Sequence, residues 1–298
     1  MLGAFLATLL FSLSAVSANR TARILGGTEA NFWRILVATF ALGLWILISG
    51  LPLSMAASGT FLVSGVIGFG VGDLALFQAL PRLGSRLTML LVQCFAAPFA
   101  ALMEWAWLGT HLTMSQAVSS LVILLGVALA IAPSDHVEIP RRTLLIGILF
   151  GLLAAAGQAG GAVISRSGFR IAAAAGQDVD GIAAAYQRIL GGVAMALIAV
   201  ILIKTKAATA PTRTPGEKWG NIWRWVIVNG LSGPALGVSC YQWALKSTPT
   251  GIVLPIVATT PIVIIPFAWF VEGERPSLRS ILGAVVAIAG AVALVLLR

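Results

Sequence analysis

Residues 65–130 read GVIGFGVGDLALFQALPRLGSRLTMLLVQCFAAPFAALMEWAWLGTHLTMSQAVSSLVILLGVALA. Residues 230–294 read GLSGPALGVSCYQWALKSTPTGIVLPIVATTPIVIIPFAWFVEGERPSLRSILGAVVAIAGAVAL. Laid one over the other, Gly65 meets Gly230, Gly68 meets Gly233 and Gly72 meets Gly237. After a slip of one residue, Leu90 meets Leu254, Trp105 meets Trp269, Gly109 meets Gly273 and Gly126 meets Gly290. Each copy reads as three apolar spans separated by short breaks. A repeat of this length sets the fold, so the rest of the chain is read outward from it.

The repeat extends upstream. Residues 1–18 align with 143–165, placing Gly3 over Gly147 and Ser14 over Gln158. Ala15-Val16-Ser17-Ala18 has the look of a signal-peptide cleavage site. No basic residue precedes the apolar run, however, and the run has a counterpart inside the chain, so a retained helix is expected. The second span, 31–49, opens Phe32-Trp33-Arg34-Ile35-Leu36; its counterpart at 181–203 opens Tyr186-Gln187-Arg188-Ile189-Leu190. The halves are thus 1–132 and 143–298, joined by a linker at 133–142. Further spans are expected at 61–80, 86–108 and 113–132, and at 222–245, 250–271 and 277–297.

Composition says what surrounds these spans. The chain is 59% hydrophobic and 10% charged, with a mean hydropathy of +0.99. A water-soluble domain cannot hide that much apolar side chain. A helix crosses the hydrocarbon with ~20 apolar residues. Lipid offers the backbone no partners, so the spans must be helices that bond internally. The short alternating segments of a membrane barrel are missing. The reading is all-α integral membrane: ten transmembrane helices as two five-helix repeats. Five is odd, so the second repeat enters from the opposite side, giving the inverted topology of secondary transporters.

The formal charge of +9 does not point to nucleic acid, because the basic residues are read as lying between spans, where orientation signals belong. Fourteen of the 19 Lys and Arg fall on the face that carries Arg82 and Lys204. The positive-inside rule makes that face cytoplasmic and puts both termini outside. Cys94 and Cys240 fall inside spans and are expected to be packing residues. His111 and His136 have no ligand cluster at metal spacing. Without a P-loop there is no ATP-driven engine, and no cofactor is implied.

The order of motifs in both halves resembles the drug/metabolite transporter superfamily, EamA type. The residues that carry the resemblance are Arg34-Ile35-Leu36, Arg188-Ile189-Leu190, the run Gly72-Asp73-Leu74-Ala75-Leu76-Phe77-Gln78-Ala79-Leu80, and Gly273-Glu274-Arg275-Pro276-Ser277 followed by Gly283 and Gly290. The first half departs from the pattern at Thr110, where Glu is usual, and at Ser119, where Gly is usual. The resemblance implies export or exchange of small polar metabolites such as amino acids, by a membrane protein with both termini in the cytoplasm, against the charge count. The expected location is a bacterial inner membrane. The expected partners are a small-molecule substrate, the lipid bilayer and protons, with the chain working as a monomer.

Several residues could carry the chemistry. Asp73 lies mid-span among glycines, and a carboxylate at membrane depth must face a cavity or a partner. It is either a substrate-ammonium or proton site, or a buried carboxylate bonded to its neighbours. Glu104 reads as a second carboxylate, snorkelling or capping near a span end, where water reaches it. Arg34 and Arg188 are interfacial anchors or binding groups for a carboxylate or phosphate. Inverted symmetry is expected to put these two on opposite faces, so that both cannot serve one site equally. Gln78, Gln158, Tyr241, Gln242 and Trp243 are candidate cavity residues; the last three stand near a span end, where an aromatic belt is the plain explanation. Pro98, Pro255, Pro261 and Pro266 each delete a helical hydrogen bond and are candidate gate hinges or static bends. The rival reading, a lipid-modifying enzyme, needs a clustered His/Asp/Glu or Ser/His set that the chain does not offer. A passive channel or structural membrane protein is less consistent with an inverted repeat.

Overall fold

The computed structural model describes residues 1–131, 139–206, 220, 222–264 and 277–296. Every element among them is helical. The first half comprises α1 (Leu2–Leu25), α2 (Gly27–Ser49), α3 (Ser58–Gly65), a π-helical segment (Val66–Gly72), α4 (Asp73–Leu108) and α5 (Met114–Ile131). The second comprises α6 (Arg141–Ala174), α7 (Gly181–Lys206), α8 (Ile222–Gly230), a second π-helical segment (Leu231–Gly237), α9 (Val238–Ser247), α10 (Thr250–Val257) and α11 (Leu278–Leu296). The helical path of α10 resumes after a turn and reaches Ile264. Among the described residues seven helical stretches are long and apolar enough to cross a membrane, and 114–130 and 250–264 are shorter apolar helices.

The helical run from Ser58 to Leu108 cannot be one straight rod. Ala75 and Val92 pack with Ala154 in a single cluster. In a straight helix they would stand about 25 Å apart, at 1.5 Å per residue. The run therefore doubles back between them. Neighbours along α6 agree: a Cβ on Gly160 would touch both Ile67 and Met103, which lie on the two arms of that hairpin.

The repeat is visible in a rare conformation. Both copies of the Gly-x-x-Gly-x-x-x-Gly pattern, 65–72 and 230–237, contain a seven-residue π-helix at the same place. Such wide turns are uncommon and recur at functional sites. Each lies against the opposite half: the first packs on α6 and α7, the second on α1 and α2. The approach is reciprocal. A Cβ on Gly65 would collide with the Arg188 carbonyl, and a Cβ on Gly230 would come within 2.8 Å of the Arg34 carbonyl. Glycine is required here because backbone meets backbone. The outermost helices, α5 and α11, pair antiparallel by the same means, Gly126 against Gly283 and Ala287.

The side chains are sorted for lipid. The interior is dominated by small residues, among them Ala96, Ala100, Ala155, Ala159, Ala162 and Ala184. The large aliphatic and aromatic side chains point outward, as at Phe40, Leu44, Trp45 and Leu47, the last 82% exposed. In hydrocarbon an exposed leucine costs nothing, and helices associate by close packing of small residues.

Two prolines interrupt α10 and its continuation without leaving carbonyls bare. Pro255 cannot bond Gly251, whose carbonyl accepts the Ser120 hydroxyl at 3.3 Å. Pro261 cannot bond Val257, whose carbonyl accepts the Thr260 hydroxyl at 2.6 Å. Hydroxyls thus replace the missing amides, as a chain without water around it requires.

Candidate functional site

A cavity of about 600 Å³ lies where the two halves meet. It is lined by α1 from Phe11 to Ala22, α2 from Ala30 to Arg34, both π-segments, both arms of the α4 hairpin, α6 at Ala154 and Gln158, α7 at Arg188, and the stretches 229–241 and 257–264. On α1 the lining begins at Phe11; on α2 it ends at Arg34, on α4 at Gln93 and on α9 at Tyr241. The beginning of α1 and the ends of α2, α4 and α9 contribute nothing. The cavity therefore runs from mid-span toward the end of the molecule where α1 finishes and α2 starts.

The other end is tied shut by polar contacts. Glu104 is 1% exposed. One of its carboxylate oxygens accepts the Thr250 amide at 2.6 Å and the Thr250 hydroxyl. The other stands 2.5 Å from Arg166 Nε, an ion contact off the N–H axis, since neither atom makes a hydrogen bond. Arg166 also donates to the carbonyls of Leu245 and Thr248. Arg170 donates to the Leu108 carbonyl and the Thr110 hydroxyl. Trp243 donates to Asp180 at 2.9 Å, and Lys246 pairs with Asp178 at 2.6 Å. Ser54 donates to Gln177, while Gln187 donates to the Ser54 carbonyl. These bonds join α4 to α6 and α10, α9 to the segment before α7, and the segment after α2 to α7.

Within the cavity the charged side chains among the described residues are Arg34, Asp73 and Arg188. Arg34 Nη2 meets Asp73 at 2.8 Å, and Arg34 Nε donates to Asn31 at 2.8 Å. Arg188 is 5% exposed. Its guanidinium lies over the Phe69 ring, 5.1 Å from the centroid. Its Nε and Nη1 have no acceptor among the described residues. Tyr241, also in the lining, has a buried hydroxyl without a partner among the described residues and stacks edge-on against Phe11 at 6.2 Å. Ser14 donates to Asn229 at 2.7 Å.

Asp73, Gln158, Tyr241, Arg34, Arg188 and Pro261 of the expected residues therefore come together in one cavity. Others lie elsewhere. Gln242 is fully buried behind the lining and donates to Ser165. Gln78 is exposed and accepts Arg82. Trp243 is exposed and belongs to the closed end. Pro98 is exposed on α4, and Pro255 is buried in α10. Pro266 lies outside the described residues. Glu104 is not at a wet interface: it is a buried ion-pair member that caps the start of α10. Arg34 follows the start of α2 at the open end and Arg188 follows the start of α7 at the closed end, and both reach the same cavity. Their roles are unequal, one paired and one not. Nor do all basic residues lie between spans: Arg34, Arg166 and Arg188 are in helices and make tertiary contacts.

Asn31, Asn229, Phe69 and Gln93 line the cavity with no prior signal. An isolated Asn or Gln in an apolar span carries no periodic mark, and only the assembled bundle shows which face is inward. Among the described residues no group of His, Cys, Asp and Glu could hold a metal ion.

Residues 1–132 and 145–296 each match the profile of the EamA-like transporter family. No curated protein matches the chain. A solved structure described as "Crystal structure of protein" superposes with a TM-score of 0.79 at 17% identity, covering 100% of this chain and 98% of the other. At that identity the likeness is one of fold.

Proposed function

The chain belongs to the EamA-like transporter family, within the drug/metabolite transporter superfamily, and is a membrane transporter of that type; from this premise we propose that it is a secondary transporter exporting or exchanging small polar metabolites such as amino acids. The observation that carries the reading is a cavity lined by both halves, with polar contacts among the described residues gathered across the end away from its lining. Alternating access needs such a state and its mirror. The reciprocal seating of each π-segment on the opposite half supports an inverted relation between five-helix repeats at 1–132 and 143–298, ten spans in all. No ATP-binding motif suggests another engine. We place the protein in a bacterial inner membrane, acting as a monomer, and coupled to protons where net transport is driven.

Asp73 is the group through which such coupling would act, since a proton would compete for its carboxylate with Arg34 and, for an amino-acid solute, with the substrate amine. The test is counterflow and net uptake in proteoliposomes against a metabolite panel, with and without a pH gradient. Asp73→Asn is expected to abolish pH-driven net transport while exchange persists. An unchanged pH profile in that variant removes Asp73 from the coupling role, and no transport of any solute by the wild type removes the function. Orientation follows from the distribution of Lys and Arg. Single cysteines placed beside Arg82 and Lys204 should resist membrane-impermeant labelling from outside intact cells; ready labelling would reverse the assignment.

A further inference from the structure

Arg188 differs from the other arginines set at membrane depth. Arg34 has Asn31 and Asp73. Arg166 has Glu104 and two carbonyls. Among the described residues Arg188 lies over the Phe69 ring and feels the more distant Asp73 charge but has no acceptor on Nε or Nη1, although it is more buried than Arg166. An arginine cannot shed its charge, and a desolvated cation without a partner is costly. The fold nonetheless makes deliberate room for it. The guanidinium occupies a cradle between Gly68 of the first half and Gly161 of the second. A Cβ on Gly68 would overlap Nη2, and one on Gly161 would come within 3.0 Å of it. Among the described residues, two donors on Arg188 and the hydroxyl of Tyr241, which lies within electrostatic range of it, have no acceptor beside the cavity.

We propose that Arg188, cradled by Gly68 and Gly161 and assisted by Tyr241, is the seat for a carboxylate of the transported solute, and that the preferred solute is a small organic monoanion with an apolar body. The inference rests on the transporter reading and names the substrate class of that same cavity. Nε and Nη1 lie on different edges of the planar guanidinium, and a carboxylate oxygen can accept a charge-assisted hydrogen bond from either. The charge balance sets the class. Arg34 and Asp73 compensate each other, so the described lining carries one net positive charge. A monoanion brings it to zero. A zwitterion must first part Arg34 from Asp73, and a cation meets an uncompensated like charge. Phe11, Phe69, Val92, Val257 and Ile264 supply an apolar wall for the rest of the molecule.

The test uses the purified full chain in detergent and a series of similar size: phenylacetate, its neutral amide phenylacetamide, phenethylamine, phenylalanine and inorganic phosphate. Thermal unfolding is followed against concentration. Phenylacetate is expected to raise Tm at concentrations at least ten-fold below phenylacetamide and phenethylamine, and Arg188→Gln to erase that preference. Without ligand, Arg188→Gln should be no less stable than the wild type, because a buried charge without a partner has been removed. Equal stabilisation by the amide, by the amine or by phosphate overturns the proposal, as do no stabilisation by phenylacetate and a lowered Tm of unliganded Arg188→Gln, the mark of a structural arginine. Counterflow separates this from the transporter reading. Phenylacetate that binds through Arg188 but does not exchange leaves the seat and defeats the transporter; phenethylamine that exchanges without any carboxylate preference does the reverse.

Discussion

Glu104→Ala is expected to unfold far more readily than the wild type. The carboxylate serves three partners at once: the amide and hydroxyl of Thr250 on one oxygen, and Arg166 on the other. All lie in a region from which water is shut out. Truncation leaves Arg166 with two carbonyls but no counter-charge and strips the first turn of α10 of its cap. Breaking a buried pair on one side costs about 3–5 kcal/mol, and loss of a cap adds about 1 kcal/mol. Glu104→Gln should fall between, since its amide oxygen can still accept from Thr250 while the charge on Arg166 stays uncompensated. Removing both members is different. Apolar replacement of a whole buried pair is often neutral, so Glu104→Leu with Arg166→Met should recover most of the lost stability. That double variant separates folding from gating. It should fold, yet lose the tie between α4, α6 and α10, and so spend less time closed at this end. Thermal unfolding measures the first effect. The second appears as faster maleimide modification of a cysteine placed at Gln242, which is buried behind the closed end. A Glu104→Ala protein that melts with the wild type would remove the knot from the structure's supports.

Gly65→Val should be the most damaging small substitution in the molecule. Its Cβ would run into the Arg188 carbonyl and come within 3.1 Å of the Gly192 amide nitrogen. Both obstacles are backbone, so no rotamer change relieves them; the helices must separate. Overpacking typically costs about 1–3 kcal/mol where side chains can yield, and this contact offers none that can. The separation would also lift Arg188 out of its cradle. The symmetry-related Gly230→Val is expected to be milder, because part of what it meets at 2.8 Å is the Val37 side chain. Gly59→Ala is the control: nothing lies within 4 Å of its Cβ, and removing a glycine from a helix stabilises by a few tenths to about 1 kcal/mol. Monodisperse yield and Tm should rank Gly59→Ala at or above wild type, then Gly230→Val, then Gly65→Val. Equal behaviour of the first and last would mean that the two backbones do not touch.

The sequence by itself determined the class and the repeat. Hydropathy depends on side-chain type alone, so it reads correctly without coordinates. The glycine registers 65-68-72 and 230-233-237 are the sites of the two π-segments, where Gly65, Gly72 and Gly230 meet the backbone of another helix and Gly68, Gly233 and Gly237 make room for a side chain. Asp73 and Gln158 were also legible, since a polar group stranded in an apolar span must face inward. What only the tertiary structure decided was pairing. Glu104 looked interfacial because its distance from a span end was counted along one helix; the depth that buries it comes from α6 and α10. Arg188 and Arg34 looked alike because their local sequences are alike. They differ because Asp73 stands 39 residues from Arg34 in sequence and 2.8 Å away in space, while the corresponding position in the second half is Val238. A repeat that keeps its backbone but varies one charge yields one paired arginine and one whose Nε and Nη1 have no acceptor among the described residues. No local pattern records that difference, because it arises where two distant segments meet.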